Sequence, residues 1–414
     1  MTKDASTAAD VQVNPGSNRG FILLLLCIVP FSEIPMDIYT PALPAMVTEL
    51  HSTNVWVQNT VTFYMLGMGL GLVPIGMLAD AIGRKKTLLI FLGVLTVTSI
   101  ACALANNIFT LIAFRFVQGI GGCACLVTIF AMAADRFRGA ELTSVSGYLG
   151  VTWGLAPVIA PAAGGFLVQY ASWRVIFELL AVMVGILFVC SLLFLPETLP
   201  AKMRAPVRVR EAVTVLGGAL RNMHFVCFTL IFAVIASGQM VFGVVAPFLY
   251  QVNMGYSAVA YGMIALGLGG ANLLGELGCG TLATRTTPRQ LCFGAWLFFA
   301  CGAAVLVLTG ADPASSFMSL TVGGALSLVG CGVLCPTANG MAMGIFSHNL
   351  GLISGFISAI CCLGVSITMA VAAYMPETSQ APLAWLYVAL AVVSFVLLFV
   401  SLSPEKTETV PVLA

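Results

Sequence analysis

Charge is scarce in this sequence: Asp, Glu, Lys and Arg make up 8% of its 414 residues, against 60% hydrophobic residues and a mean hydropathy of +1.04. A chain with so little polar surface cannot be coated by water, so it belongs in a lipid bilayer. The net charge of +1 carries no basic surplus, and no nucleic-acid partner is expected. Metal-site chemistry is also missing. The three histidines fall in loops or at run ends, and the thirteen cysteines, Cys123/Cys125 and Cys361/Cys362 included, lack ligand spacing and neighbouring acids. They read as small reduced core residues. No Gly-x-x-x-x-Gly-Lys-Ser/Thr loop occurs, which argues against an ATP-driven pump, and no nucleophile constellation or cofactor loop points to an enzyme.

What is present is length in the apolar runs. Segments able to cross roughly 30 Å of hydrocarbon as helices recur near 19–46, 54–79, 87–105, 108–134, 141–169, 173–196, 222–250, 257–283, 289–310, 315–346, 350–375 and 382–403. The first run follows a polar tail and shows no persuasive cleavage site, so it is expected to be retained. Lys3 and Arg19, Arg84 to Lys86, Arg136 and Arg138, Lys202 through Arg221, Arg285 and Arg289, and Lys406 occupy alternate loops. That is the positive-inside pattern, and it predicts cytoplasmic termini. Of the seventeen Lys and Arg residues only Arg115 and Arg174 fall elsewhere.

Inside the first run stand two acids, Glu33 and Asp37. An ionised group at bilayer depth costs at least ~2.5 to 3.5 kcal/mol, so one is kept mainly where it pairs, titrates or lines a wet cavity. Four residues apart on a helix, the two share a face at roughly 6 Å, close enough for one charge to oppose the other. The pair is suited to holding and releasing a proton and should titrate as a unit. Counting helix rise from the run ends places Asp37 and Arg115 at a similar depth of ~10 Å, which predicts an ion pair between them. Arg115 does not lose its charge, so the titrating partner must be a carboxylate. Pro30, Pro35, Pro41 and Pro44 predict a kinked first span around these acids.

The chain reads as two halves: a tail at 1–18, a six-helix bundle at 19–196, a basic linker at 197–221 without an apolar face, a second bundle at 222–403 and a tail at 404–414. Gly76–Asp80 after the second span is echoed by Gly280–Thr284 after the eighth, and Pro196-Glu197 by Pro404-Glu405. Parallel six-helix repeats imply a pseudo-twofold axis along the membrane normal and a central cavity. Aligning Thr40-Pro41 with Ala246-Pro247 puts Gly243 opposite Asp37, so proton handling belongs to the first half.

Several of these residues resemble a known family. Gly76-Met-Leu-Ala-Asp80-Ala-Ile-Gly83-Arg84-Lys85-Lys86 matches the loop motif of the major facilitator superfamily, Arg115-Phe-Val-Gln118-Gly119 the fourth-helix motif of its proton-coupled members, and Gly147, Pro161, Gly164 and Gly165 the fifth-helix antiporter motif. Asp37-Ile-Tyr39-Thr-Pro41-Ala-Leu-Pro44 and Ala338-Asn339-Gly340 are similar to the twelve-helix drug:proton antiporters of the Bcr/CflA type. The resemblance implies an all-α membrane protein of twelve helices in two pseudo-symmetric bundles. It also implies efflux of small amphipathic compounds, phenicols among them, in exchange for protons, with no other cofactor and as a monomer. The alternatives are export of a dedicated metabolite such as a siderophore, uptake by symport, or a non-transporting sensor.

Site roles follow. Asp37, Glu33 and Arg115 are the expected proton-coupling residues. Gly76, Asp80, Gly83 and Arg84 are expected to form a cytoplasmic gate, with a base reaching across the bundle interface. Gly147, Pro157, Pro161, Gly164 and Gly165 are expected to give the fifth span small surfaces and a bend. Tyr39, Asn59, Tyr64, Met65, Trp153, Gln239, Phe242, Asn272, Asn339 and Phe356 are candidates for the cargo cavity, as aromatic, thioether or amide groups within spans. Glu178 and Glu276 lie near span ends, where they are expected to reach water.

Overall fold

The computed structural model describes residues 15–308 and 316–402. Lys3, Asp312, Pro404-Glu405 and Lys406, with most of both tails, lie outside the described residues. Among the described residues, helices long and apolar enough to cross a membrane number twelve: Arg19–Glu49, Asn54–Ile82, Arg84–Ala103, Ile108–Arg136, Gly139–Tyr170, Arg174–Phe194, Met223–Asn253, Ala258–Leu282, Pro288–Leu308, Phe317–Met343, Leu350–Ala373 and Ala381–Ser401. Each coincides with an apolar run of the sequence, and no strand occurs among the described residues. Helices satisfy their own backbone groups, which is what hydrocarbon demands. Side-chain caps mark several starts: Asn107 accepts from the Phe109 amide at 2.8 Å, Asn222 from Phe225 at 3.0 Å and Ser257 from Ala260 at 3.1 Å.

Within each half the spans pack in the same order. The second span lies against the fourth and the eighth against the tenth; the third meets the fourth and sixth as the ninth meets the tenth and twelfth. The halves meet along two seams, second span to eleventh and fifth to eighth. Leu193 and Phe194 of the sixth span and Val392 and Phe399 of the twelfth remain exposed, forming apolar surface for lipid.

A shared device locks the inner helices of both halves. Gly119 of the fourth span rests on the Tyr64 carbonyl, and Gly332 of the tenth rests on the Asn272 carbonyl; a Cβ has no room at either place. Gly67 on the Phe116 carbonyl is mirrored by Gly275 on the Val329 carbonyl. This duplicated contact sets the structural equivalence of the halves: Tyr64 corresponds to Asn272, and Arg115, one residue before Phe116, corresponds to Leu328, one before Val329.

The linker is less featureless than its composition suggests. Val209–Ala219 forms a helix that buries Ala212 and Ala219 and packs against the eleventh span. The expectation of a linker without an apolar face is corrected here: Ala212 and Ala219 are buried, and Val215 packs against the core beside them.

Candidate functional site

The first span is broken where its prolines stand. A 3-10 turn over Val29–Ser32, a single α turn over Ile34–Asp37 and a second 3-10 turn over Thr40–Ala42 precede the closing helix Leu43–Glu49. Proline removes backbone donors at each break. The Asp37 amide still reaches the Glu33 carbonyl at 3.2 Å, so the two acids remain one turn apart. The fifth span holds this segment in place. Gly164 lies against the Ile38 carbonyl and Gly165 against the Ala258 carbonyl at the start of the eighth span, contacts that any side chain would block. Pro157 and Pro161 of the same helix line the central cavity. Gly147, by contrast, is exposed with open space where a Cβ would stand, and takes no part in this packing.

Arg115 is fully buried. The expected ion pair with Asp37 does not form: Arg115 donates to the Pro35 carbonyl at 2.8 Å and to Gln118 Oε1 at 2.5 Å. The rings of Tyr39 and Tyr64 each lie 4.4 Å from its guanidinium carbon, so the charge is held by π faces and neutral acceptors. Gln118 in turn donates to Ser99 Oγ at 2.8 Å. Arg115 Nε and Nη2 are buried without a hydrogen-bond partner, and so is Asp37 Oδ2. A permanent cation and an unsatisfied carboxylate oxygen are thus retained close together in the first half, each with unused hydrogen-bonding capacity. Glu33 is 6% exposed, and its neighbour Ser32 accepts from Trp153 Nε1 at 3.1 Å.

Between the halves lies a cavity of about 720 Å³, part of it open to solvent. The first half contributes Met36, Asp37, Thr40, Val61, Pro157 and Pro161; the second contributes Gln239, Phe242, Gly243, Tyr261, Asn272 and Leu328. Among the expected cargo residues, Gln239, Phe242 and Asn272 line this space. Tyr39 and Tyr64 instead flank Arg115, and Asn59, Met65, Trp153, Asn339 and Phe356 do not line it. Gly243 and Asp37 both line the cavity, and Gly243 has open space where a side chain would be.

The loop motif forms a clamp within the first half. Asp80 pairs with Arg84 at 2.6 Å, and Arg84 Nε reaches Asp135 Oδ2 at 3.2 Å. Glu197 Oε1 accepts from the Arg84 amide at 2.9 Å and from the Leu199 amide at 3.1 Å. Gly83 adopts φ +108°, a conformation suited to glycine, and a side chain there would strike the Glu197 carboxylate. Gly76 has ordinary clearance from Val127. The expectation that a base crosses to the other bundle is therefore corrected: Arg84 ties the second and third spans to the fourth span and the linker. Asp135 was not singled out from sequence, and Glu197 only as part of the repeat that closes each half; their acidity beside basic residues at span ends was the available signal of a clamp.

At the opposite face the halves are tied directly. Asn54 Nδ2 donates to Glu377 Oε2 and Gln251 Nε2 to the Pro41 carbonyl at 3.0 Å, while Asn253 Nδ2, within the second half, donates to the Glu377 carbonyl at 2.5 Å. Glu377 sits in the turn between the last two spans. Burial pushes its carboxyl up to about 7, partly offset by the Asn54 amide. Arg174, the basic exception on this face, meets Glu49 at 3.4 Å and stacks on Trp173 at 4.3 Å.

Known proteins share this architecture. The model of the Major Facilitator Superfamily matches residues 25–321. The chain is 28% identical over 393 residues to an uncharacterized MFS-type transporter YdgK of Bacillus subtilis (strain 168), covering 93% of this chain and 95% of that one. It is 26% identical over 400 residues to the multidrug transporter MdfA of Yersinia pestis bv. Antiqua (strain Angola), covering 94% and 97%. A solved D-xylose-proton symporter superposes with a TM-score of 0.77 at 13% identity, over 94% of this chain and 98% of that one. Both halves, the cavity between them and the match to the family model lead to one conclusion: this chain is a membrane transporter, not an enzyme, and belongs to the Major Facilitator Superfamily.

Proposed function

We infer that the protein exports small amphipathic compounds, phenicols among them, across the bacterial inner membrane in exchange for protons, by alternating access. Multidrug transporters at about a quarter identity over nearly the whole chain support the cargo class. The basic face is the cytoplasmic one by the positive-inside rule, with both termini there. One observation carries the coupling: Asp37 faces the cavity with a buried, unpartnered carboxylate oxygen, next to a network built around the buried Arg115 cation.

The chemistry follows from that arrangement. Arg115 stays charged, so its field is constant and only the acids change state. With Asp37 and Glu33 protonated, Arg115 is left as the charge at the centre of the site, and cargo and protons occupy the site in alternation. When the site opens to the cytoplasm the protons leave, the acids turn toward the unused Arg115 donors, and cargo occupies the vacated cavity. Rocking about the seams between the second and eleventh and the fifth and eighth spans then exposes the cargo outside. A transmembrane potential contributes ~2.3 kcal/mol per charge per 100 mV, and the proton gradient adds to it. No resident cofactor is required, and a single chain encloses the whole site.

The test is proton release from detergent-purified protein on addition of a drug panel that includes a phenicol. Release is expected in the wild type, reduced in Glu33→Gln and lost in Asp37→Asn. Unchanged release in both variants would move the coupling elsewhere in the molecule.

A further inference from the structure

The second half has a carboxylate that the proton chemistry does not use. Glu276 of the eighth span is half-buried, with its Oε1 accepting from Asn272 Nδ2 at 2.9 Å. Asn272 is 5% exposed and lines the cavity. Because its amide nitrogen is committed to the carboxylate, the orientation of the amide is fixed and its Oδ1 is left as an acceptor. That Oδ1 is buried and has no partner. A buried carbonyl oxygen without a donor is costly to maintain unless something supplies one.

We propose that Asn272 and Glu276 form a subsite for the protonated amine of an amphipathic cargo, an ammonium or amidinium bearing N–H donors. This deepens the efflux reading and rests on it. Two acceptors one helical turn apart, one neutral and one anionic, suit a cation that donates more than one hydrogen bond. A neutral hydroxyl has a single donor and no net charge to set against the carboxylate, so it gains less.

The surroundings prepare the pair for such a ligand. Gly275 and Gly332 hold the eighth span tightly against the tenth, so the backbone that carries both side chains is fixed from behind. Across the seam, Glu276 Oε2 packs close over Gly154 of the fifth span: a Cβ there would stand 3.2 Å from that oxygen, tighter than ordinary contact. The expectation that Glu276 merely reaches water at a span end is replaced by a contact at the seam between halves. Its position toward the basic end of the eighth span puts it on the path of cargo arriving from the cytoplasm. The equivalent of Asn272 in the first half is Tyr64, which is occupied with Arg115, so this subsite has no counterpart there.

A matched pair of fluorescent probes tests this in the purified full chain: dansyl-aminopentylammonium and its hydroxypentyl analogue, identical but for the terminal group. The wild type is expected to bind the ammonium probe about tenfold more tightly, and Glu276→Gln to remove that preference while leaving the hydroxyl probe within about twofold. Glu276→Asp should restore part of the preference, and thermal unfolding of all variants guards against a folding defect. Equal weakening of both probes in Glu276→Gln, or an undiminished ammonium preference, overturns the subsite alone. Failure of the wild type to bind either probe overturns the efflux reading together with it.

Discussion

The two halves share a backbone plan and differ in chemistry. The paired glycine locks, Gly119 on Tyr64 and Gly332 on Asn272, show that the inner helices pack alike. Within that common frame, Asp37 is replaced by Gly243 and Arg115 by Leu328, while Asn272 stands in for Tyr64. The first half keeps a permanent cation, two acids and two tyrosines; the second keeps amides, aromatics and a single acid at the seam. Packing is therefore what the fold repeats and charge is what it does not; in the function proposed above, protons fall to one side of the cavity and cargo to the other.

Making the first half like the second should break that division most severely. Arg115→Leu installs the residue of the equivalent position and removes the only charge at the centre of the network with Pro35, Gln118, Tyr39 and Tyr64. Gradient-driven transport should fall by roughly 100-fold or more, as expected when an interaction worth about 3 kcal/mol is lost, while the protein remains inserted and monodisperse. Transport assayed in inverted vesicles checks this.

Next comes the wedge that holds the acids. Gly164→Ala places a methyl group against the Ile38 carbonyl, one residue from Asp37. Overpacking of this kind costs about 1 to 3 kcal/mol, so a lower unfolding temperature and weakened transport are expected together. Gly147→Ala, in the same motif but exposed and uncrowded, should change stability by less than about 0.5 kcal/mol.

The outer seal gives a smaller effect of defined sign. Glu377 is held up to about 7 while buried against Asn54, above its ordinary value of 4.5. Other groups facing it from the packed elements, Asn54, Asn253 and Ser379, carry no charge; His51 and the paired Glu49 precede Asn54 along the chain. The state with the higher proton affinity gains as pH falls, so protonation stabilises the sealed outer face. That stabilisation is full below the ordinary value and is lost as pH rises through about 7. Hydrogen exchange in the turn at 374–380, corrected for intrinsic rates, should therefore be faster at pH 8 than at pH 6. In Glu377→Gln the difference should vanish; a pH response of unchanged size would place the switch on another group.

How much of this could be read from residues alone depends on what each inference needed. The spans, the proline-broken first helix and the placing of Glu33 and Asp37 within hydrocarbon required only composition, order and the cost of charge there. The match of Gly243 to Asp37 in sequence came from aligning Thr40-Pro41 with Ala246-Pro247. The ion pair between Asp37 and Arg115 went wrong because depth along a helix says nothing about rotation, and the guanidinium is already engaged by Pro35 and Gln118. Tyr39 and Tyr64 looked like cargo contacts for the same reason: an aromatic inside a span can face a ligand or a neighbouring cation. Glu276 was passed over because its distance from the span end suggested water, whereas its direction, set by Gly275 and Gly332, points it to the seam.

The most direct test of proton-for-cargo exchange in the first half uses proteoliposomes with an imposed pH gradient, comparing the wild type with the double variant Glu33→Gln, Asp37→Asn. The wild type should concentrate a phenicol against its gradient, and the double variant should only equilibrate it. Uphill transport by the double variant at the wild-type rate would contradict the account.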